Sequence, residues 1–265
     1  MSFETIILER KESIATITFN RPDVFNAYSE QMSMDLKAAV GQIGEDKSIR
    51  VLVLKGSGSN FMAGADISML NRWSEIAREQ GVEKVEEILN QHFSPTLLEK
   101  LPQPVIAAID GMAWGMGCEV SLGCDFRICT DGASFSQPEI NLGIIPGGGA
   151  SQRLPGVVGK AKAMEMILTG SPIKASDAYQ WGLVNRVVPP QELDAAVAKL
   201  AGKILAKSPL MTDWAKQCVN RTLDHDLYSG IEKELSTFCR TFTTKDSREG
   251  TAAFLEKRKP EFTGE

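Results

Sequence analysis

The spacing of apolar and polar positions divides the chain into short runs of different period. Residues 5–10 and 14–19 are apolar and β-branched, and the charged Lys11-Glu12-Ser13 joins them, a pattern that predicts a hairpin. Met32, Met34, Leu36, Ala39, Val40 and Ile43 then form a helical stripe behind Ser29, a residue suited to capping a helix start. Val51-Leu52-Val53-Leu54 and Val105-Ile106-Ala107-Ala108-Ile109 are apolar without alternation, as strands covered on both faces are. Residues 125–129 read as a further strand. Residues 67–100 are charged and loosely periodic, with a break at Gly81; so long a polar segment between buried strands is a candidate cover for a pocket. Helical patterns follow at 161–168, 175–181, 191–206, 209–223, 227–242 and 247–257, with one short strand at 183–188. Strands among helices, then helices alone, predict an α/β core at 1–200 and a helical C-terminal region at 201–265.

Residues with chemical meaning concentrate between Pro104 and Gly149. Asp110-Gly111 ends a strand, and Gly115-Met116-Gly117-Cys118-Glu119-Val120 opens a helix. Glu119 therefore lies near backbone N–H groups that lack a partner inside the helix and can bind an anion. Glu139 follows in Ser136-Gln137-Pro138-Glu139, and Pro146-Gly147-Gly148-Gly149 is a run that a tight, closely packed turn requires. Ala63-Gly64-Ala65-Asp66 is a small-residue turn like the one at Gly115 to Gly117. Two carboxylates beside free backbone donors are the parts of an acid/base site acting on a carbonyl compound. Each glutamate has a structural alternative: Glu119 as a helix-terminus anion steadied by the macrodipole or by Arg127, and Glu139 as a capping or turn residue. In an apolar pocket the two would not both ionise easily, so one holds a proton while the other accepts one.

Composition removes other classes. With 265 residues, 43% hydrophobic and 24% charged, the chain reads as an ordinary globular protein with a full core. No apolar run reaches membrane-spanning length, and Met1-Ser2-Phe3-Glu4 lacks the features of a secretory signal, so a cytoplasmic location is expected. A net charge of −5 argues against nucleic-acid binding. Cys118, Cys124, Cys129, Cys218 and Cys239 form no C-x-x-C pair, which predicts buried reduced thiols rather than disulfides or zinc. Dinucleotide, P-loop and G-x-S-x-G signatures are absent, and His92 and His225 fall in polar helical segments where a surface role is expected.

Ala63 to Asp66, Gly111 to Glu119, Gln137-Pro138-Glu139, Gly143-Ile144-Ile145-Pro146-Gly147, Gln152-Arg153-Leu154, Arg248-Glu249-Gly250 and Phe254 to Arg258 together resemble the crotonase (enoyl-CoA hydratase/isomerase) superfamily. The likeness runs from Asn20-Arg21-Pro22 to Lys259, and the order and spacing of the motifs carry it. It implies an α/β fold, a crotonase-like spiral of ββα units with a helical C-terminal trimerisation region, in a homotrimer or homohexamer. It also implies an oxyanion hole from the Ala65 and Met116 amides for an acyl-CoA thioester, with Glu119 activating water and Glu139 supplying a proton. Coenzyme A enters as part of the substrate, with no separate cofactor. The resemblance carries contacts to it onto Val24, Phe25, Ala63, Asp66 and Ile67, and onto Phe238 and Lys257 from a neighbouring subunit. Met116 stands where a small residue is usual, and is expected to alter the acyl pocket. Asp23 and Ser68 stand where short-chain hydratases often carry lysine. The expected activity is hydration of a 2-enoyl-CoA, a branched or cyclic acyl chain included. A double-bond isomerase using Glu139 alone, a non-catalytic binding protein, and a hydrolase or carbon–carbon lyase on the same fold are the alternatives.

Overall fold

The computed structural model describes residues 3–223 and 226–265, and His225 lies outside the described residues. β1 (Ile6–Lys11) and β2 (Ile14–Phe19) form the antiparallel hairpin, with Ile6 opposite Phe19. Ser29 accepts from the Met32 amide and caps α1 (Glu30–Glu45), whose Met32, Leu36, Ala39, Val40 and Ile43 are buried. β3 (Val51–Gly56) leads to the helices α2 (Ile67–Gln80), α3 (Val82–Gln91) and α4 (Thr96–Lys100), with Gly81 at φ 89° between the first two.

Two successive units then repeat one pattern. β4 (Val105–Ile109), β5 (Met112–Trp114) and α5 (Met116–Leu122) form the first. β6 (Phe126–Thr130), β7 (Ser134–Ser136), a 3-10 turn over Pro138–Leu142 and α6 (Ala150–Thr169) form the second. Each opens with a strand in the large sheet, crosses to the small sheet and returns through a helix, which is the expected ββα spiral. β3 begins a third such unit, in which Met62 bridges Ala113 in place of a second strand. The chain closes with β8 (Ile173–Lys174), α7 (Ala175–Gln180), β9 (Arg186–Val188), α8 (Leu193–Leu205), α9 (Pro209–Asn220), α10 (Leu227–Thr241) and α11 (Lys245–Leu255).

The large sheet runs β1-β2-β3-β4-β6-β9, parallel beyond the hairpin, and the small one runs β5-β7-β8. Apolar layers on both faces explain the unalternating strands. Ile17, Leu52, Leu54 and Ala107 join Phe19, Phe61 and Phe135 on one side, while Val51, Val53, Ile106 and Ile128 meet Val197 and Ala201 of α8 on the other. Phe19 and Phe61 meet edge to face at 5.1 Å, a geometry that adds to their burial.

Several expectations change. α6 starts at Ala150, well before residue 161; Pro155 inside it and the kink at Gly159 (φ 78°, ψ 156°) hide the helical period of its first half. Cys118, Cys124 and Cys129 are buried, and burial pushes their thiols up to about 12, but Cys218 is half-buried and Cys239 exposed. His92 is half-buried rather than on the surface, its ring 5.6 Å from that of Trp73. Burial, then the charges of Lys37 and Arg72, holds its pKa below the ordinary value. Among the described residues no helix is long and apolar enough to cross a membrane.

Candidate active site

Three chain segments lie side by side at the small sheet, the Met62 bridge and the ends of β5 and β7. The Met62 amide donates to Met112 O at 2.9 Å, Trp114 donates to Met62 O at 3.0 Å, and Trp114 pairs in register with Ser136. Beyond each end the chain turns: at Ala63 to Asp66, at Gly115-Met116, and at Gln137 to Glu139. Parallel strands deliver their carboxyl ends to one edge, where ligands of such sheets bind. Three separate stretches of sequence meet there.

Backbone apposition makes the turns touch. Gly64 (φ 109°) and Gly115 (φ 50°) adopt conformations that favour glycine, and a Cβ on Gly115 would sit 3.5 Å from Gly64 Cα and 2.9 Å from Glu139 Oε1. Ala65 and Met116 follow these two glycines directly. Tyr28 N donates to Gly64 O and Asp66 N donates to Tyr28 O, both at 2.8 Å. That pattern leaves the N–H of Ala65 facing away from Tyr28. Met116 is the first residue of α5, where no helical carbonyl reaches its N–H. Gly117 lets α5 settle on the strand end, since a Cβ there would lie 2.1 Å from Met62 O.

Glu119, on the first turn of α5, is 3% exposed. Its Oε1 accepts from the Gly148 and Ala150 amides at 2.7 and 3.1 Å, so the glycine run serves to bring backbone donors to a buried carboxylate. A Cβ on Gly148 would stand 2.6 Å from Glu119 Oε2. Burial raises the Glu119 pKa above the ordinary range, opposed by the Ala150, Gly148 and Gly149 amides and by the charge of Arg153. Arg127 does not pair with it. Its guanidinium donates instead to the carbonyls of Ser121, Cys124 and Leu183, closing the carboxyl end of α5.

Glu139 is half-buried in the 3-10 turn, and burial first, then the nearby Glu119, pushes its carboxyl up to about 7. The fully buried Gln137 turns the end of its side-chain amide toward this carboxylate, 3.2 Å from both oxygens. One carboxyl that carries a proton near neutrality thus adjoins another held by main-chain donors. Beside them are two apposed turns whose following amides are available to an oxyanion.

Sequence reasoning gave Arg153 and Gln137 no role beyond their place in motifs. Arg153 binds both oxygens of Glu99 at 2.6 and 2.9 Å, Thr96 Oγ1 at 2.7 Å and Gly148 O at 3.0 Å, tying the glycine loop to α4. Its signal was an arginine close behind a glycine run. For Gln137 the signal was a long polar side chain between a strand and Glu139.

The remaining candidates divide into two groups. The Ala63 amide donates to Phe25 O at 3.1 Å, and Asp66 pairs with Arg21 at 3.1 Å while capping α2 through the Ser68 amide. Val24, Phe25 and Ile67 are exposed along the same rim. Phe238 and Lys257 are not brought to this rim by the chain's own fold. Phe238 lies exposed on α10 with its ring 5.0 Å from that of Phe242, and Lys257 (φ 55°) follows α11.

The family model described as enoyl-CoA hydratase/isomerase matches residues 9–265. The chain is 41% identical over 264 residues to a crotonyl-CoA hydratase of Syntrophomonas wolfei, covering 99% of each. It is 38% identical over 263 residues to a short-chain-enoyl-CoA hydratase of Clostridium acetobutylicum, covering 98% of each. The crystal structure of an enoyl-CoA hydratase from Bacillus anthracis superposes with a TM-score of 0.88 at 36% identity, covering 99% of this chain and 100% of that one.

Proposed function

The chain belongs to the enoyl-CoA hydratase/isomerase family, and from that premise we propose that it adds water reversibly, in syn fashion, across the 2,3 double bond of a 2-enoyl-CoA to give the 3-hydroxyacyl-CoA. The observation that carries this reading is the pairing of Glu119 and Glu139 at one sheet edge, beside the turns that present Ala65 and Met116. The thioester oxygen accepts from the Ala65 and Met116 amides. As a nucleophile attacks Cβ, charge gathers on that oxygen, and each donor stabilises the enolate by about 3 kcal/mol.

Glu119 removes a proton from water as the oxygen bonds to Cβ. Its Oε1 is occupied by main-chain donors, so Oε2 is the atom for this task. Glu139, protonated near pH 7, delivers its proton to Cα. Water returns the proton balance: the proton taken by Glu119 equals the one given by Glu139, and exchange with solvent resets both. Two carboxyls and two amides account for every charge moved, so we assign no cofactor beyond the CoA of the substrate.

We assign CoA contacts to the rim formed by Val24, Phe25, Ala63, Asp66 and Ile67. Leu227, Ile231, Leu235 and Phe238 are exposed at helical spacing on α10, with Phe242 exposed at its C-cap, an apolar stripe suited to a copy of the same chain. This supports a homotrimer or homohexamer in which Phe238 and Lys257 reach the CoA of a neighbour. Buried thiols at Cys118, Cys124 and Cys129 fit a cytoplasmic location.

Incubation with 2-enoyl-CoA in oxygen-18 water tests the reading. Hydration removes the conjugated ultraviolet absorption and gives a 3-hydroxyacyl product carrying one heavy oxygen. A shifted double bond without heavy oxygen would instead make the protein an isomerase.

A further inference from the structure

Met116 has a second part to play, through its side chain rather than its amide. It stands at the first position of α5, half-buried against the main core, between the Gly64-Gly115 contact and the glycine loop. A Cβ placed on Gly148 would lie 3.0 Å from Met116 Sδ and 2.6 Å from Glu119 Oε2. The thioether and the free oxygen of the buried carboxylate therefore both pack against Gly148, too closely to admit a side chain there, and so lie next to each other.

This inference rests on the hydratase reading above. There the Met116 amide holds the thioester oxygen, and Glu119 directs water to Cβ. A side chain that starts at that amide and ends beside Glu119 spans the first carbons of the acyl group. Its three heavy atoms beyond Cβ occupy volume that a glycine or alanine at this position would leave empty. We propose that the Met116 side chain closes the acyl end of the site and makes the enzyme selective for short, unbranched 2-enoyl thioesters. Substituents at Cβ, or a chain long enough to continue past Glu119, meet the thioether. Overfilling a packed apolar site by even a few methylenes is destabilising, and one methylene in such a pocket is worth about 10 to 200-fold in discrimination.

The test compares wild type with Met116→Ala and the bulk-preserving Met116→Leu. Specificity constants are measured for crotonyl-CoA, 3-methylcrotonyl-CoA and 2-decenoyl-CoA, together with calorimetric dissociation constants for butanoyl-CoA and decanoyl-CoA. Wild type and Met116→Leu should both favour the four-carbon thioesters, and in Met116→Ala that preference should fall at least about tenfold in rate and in binding. A preference unchanged in Met116→Ala, or reduced as far in Met116→Leu, overturns the assignment. If wild type hydrates none of the thioesters, the proposed function falls, while the two dissociation constants still decide the role of Met116.

Discussion

Replacing Glu119 by glutamine separates chemistry from architecture at the most buried position of the site. In Glu119→Gln the side-chain carbonyl oxygen accepts the Gly148 and Ala150 amides as Oε1 does now, at 2.7 and 3.1 Å, and the side-chain volume is unchanged. What disappears is the ability to take a proton from water. A positioned base contributes about 10² to 10⁴-fold, or roughly 3 to 5.5 kcal/mol of barrier. Stability should move the other way. The 3%-exposed carboxylate has a raised pKa because burial disfavours its charge, so the folded state binds more protons than the unfolded one above the ordinary glutamate range. That cost is removed in the variant, whose melting temperature should equal or exceed that of wild type at pH 8. The assay pairs initial hydration rates of crotonyl-CoA with thermal melts of the same samples. Hydration within threefold of wild type would refute the role given to Glu119. A collapsed melt would refute the claim that its charge is held against a burial cost.

Glu139 sets a pH window: with its carboxyl at about 7, hydration kcat should decline as pH rises through that value, and Glu139→Gln should lose both the rate and this limb of the profile. The folded protein keeps that proton to higher pH than the unfolded chain, so stability falls between the unfolded glutamate value of about 4.3 and about 7; the melting-temperature gain of Glu139→Gln should be larger at pH 8 than at pH 5. Gly148→Ala places a methyl 2.6 Å from Glu119 Oε2 and should lower kcat by at least about tenfold, whereas Gly147→Ala, with nothing within 4 Å, should stay within threefold; steady-state kinetics on the two variants checks the contrast. Arg153→Ala removes the paired bonds to Glu99 and the bond to Gly148 O, and should cost on the order of 2 kcal/mol in urea unfolding together with activity, through the loosened glycine loop.

The long apolar runs made the large sheet readable, because Val51 to Leu54 and Val105 to Ile109 are covered on both faces and carry no polar interruptions. The Ser29 cap and the Gly81 break were equally local signals. The small sheet was not readable: β5, β7 and β8 span two or three residues each, too few for any period to register. Yet that sheet is what gathers the turns of the site. Glu119, Glu139 and the glycine turns were identifiable as parts because their residue types are costly outside a tight or acidic site. Their assembly depends on pairings such as Trp114 with Ser136, between residues far apart in the chain. Arg153 escaped for the same reason, since Glu99 and Thr96 become its partners only after α4 and α6 meet.

The central claim is geometric: both acidic groups address the double bond from one side while two amides hold the thioester oxygen. Hydration of crotonyl-CoA in deuterium oxide, followed by proton NMR of the 3-hydroxybutanoyl product, reads this directly. The account predicts a single deuterium at Cα on the same face as the new hydroxyl at Cβ. Deuterium on the opposite face, or an equal mixture of the two, would contradict it.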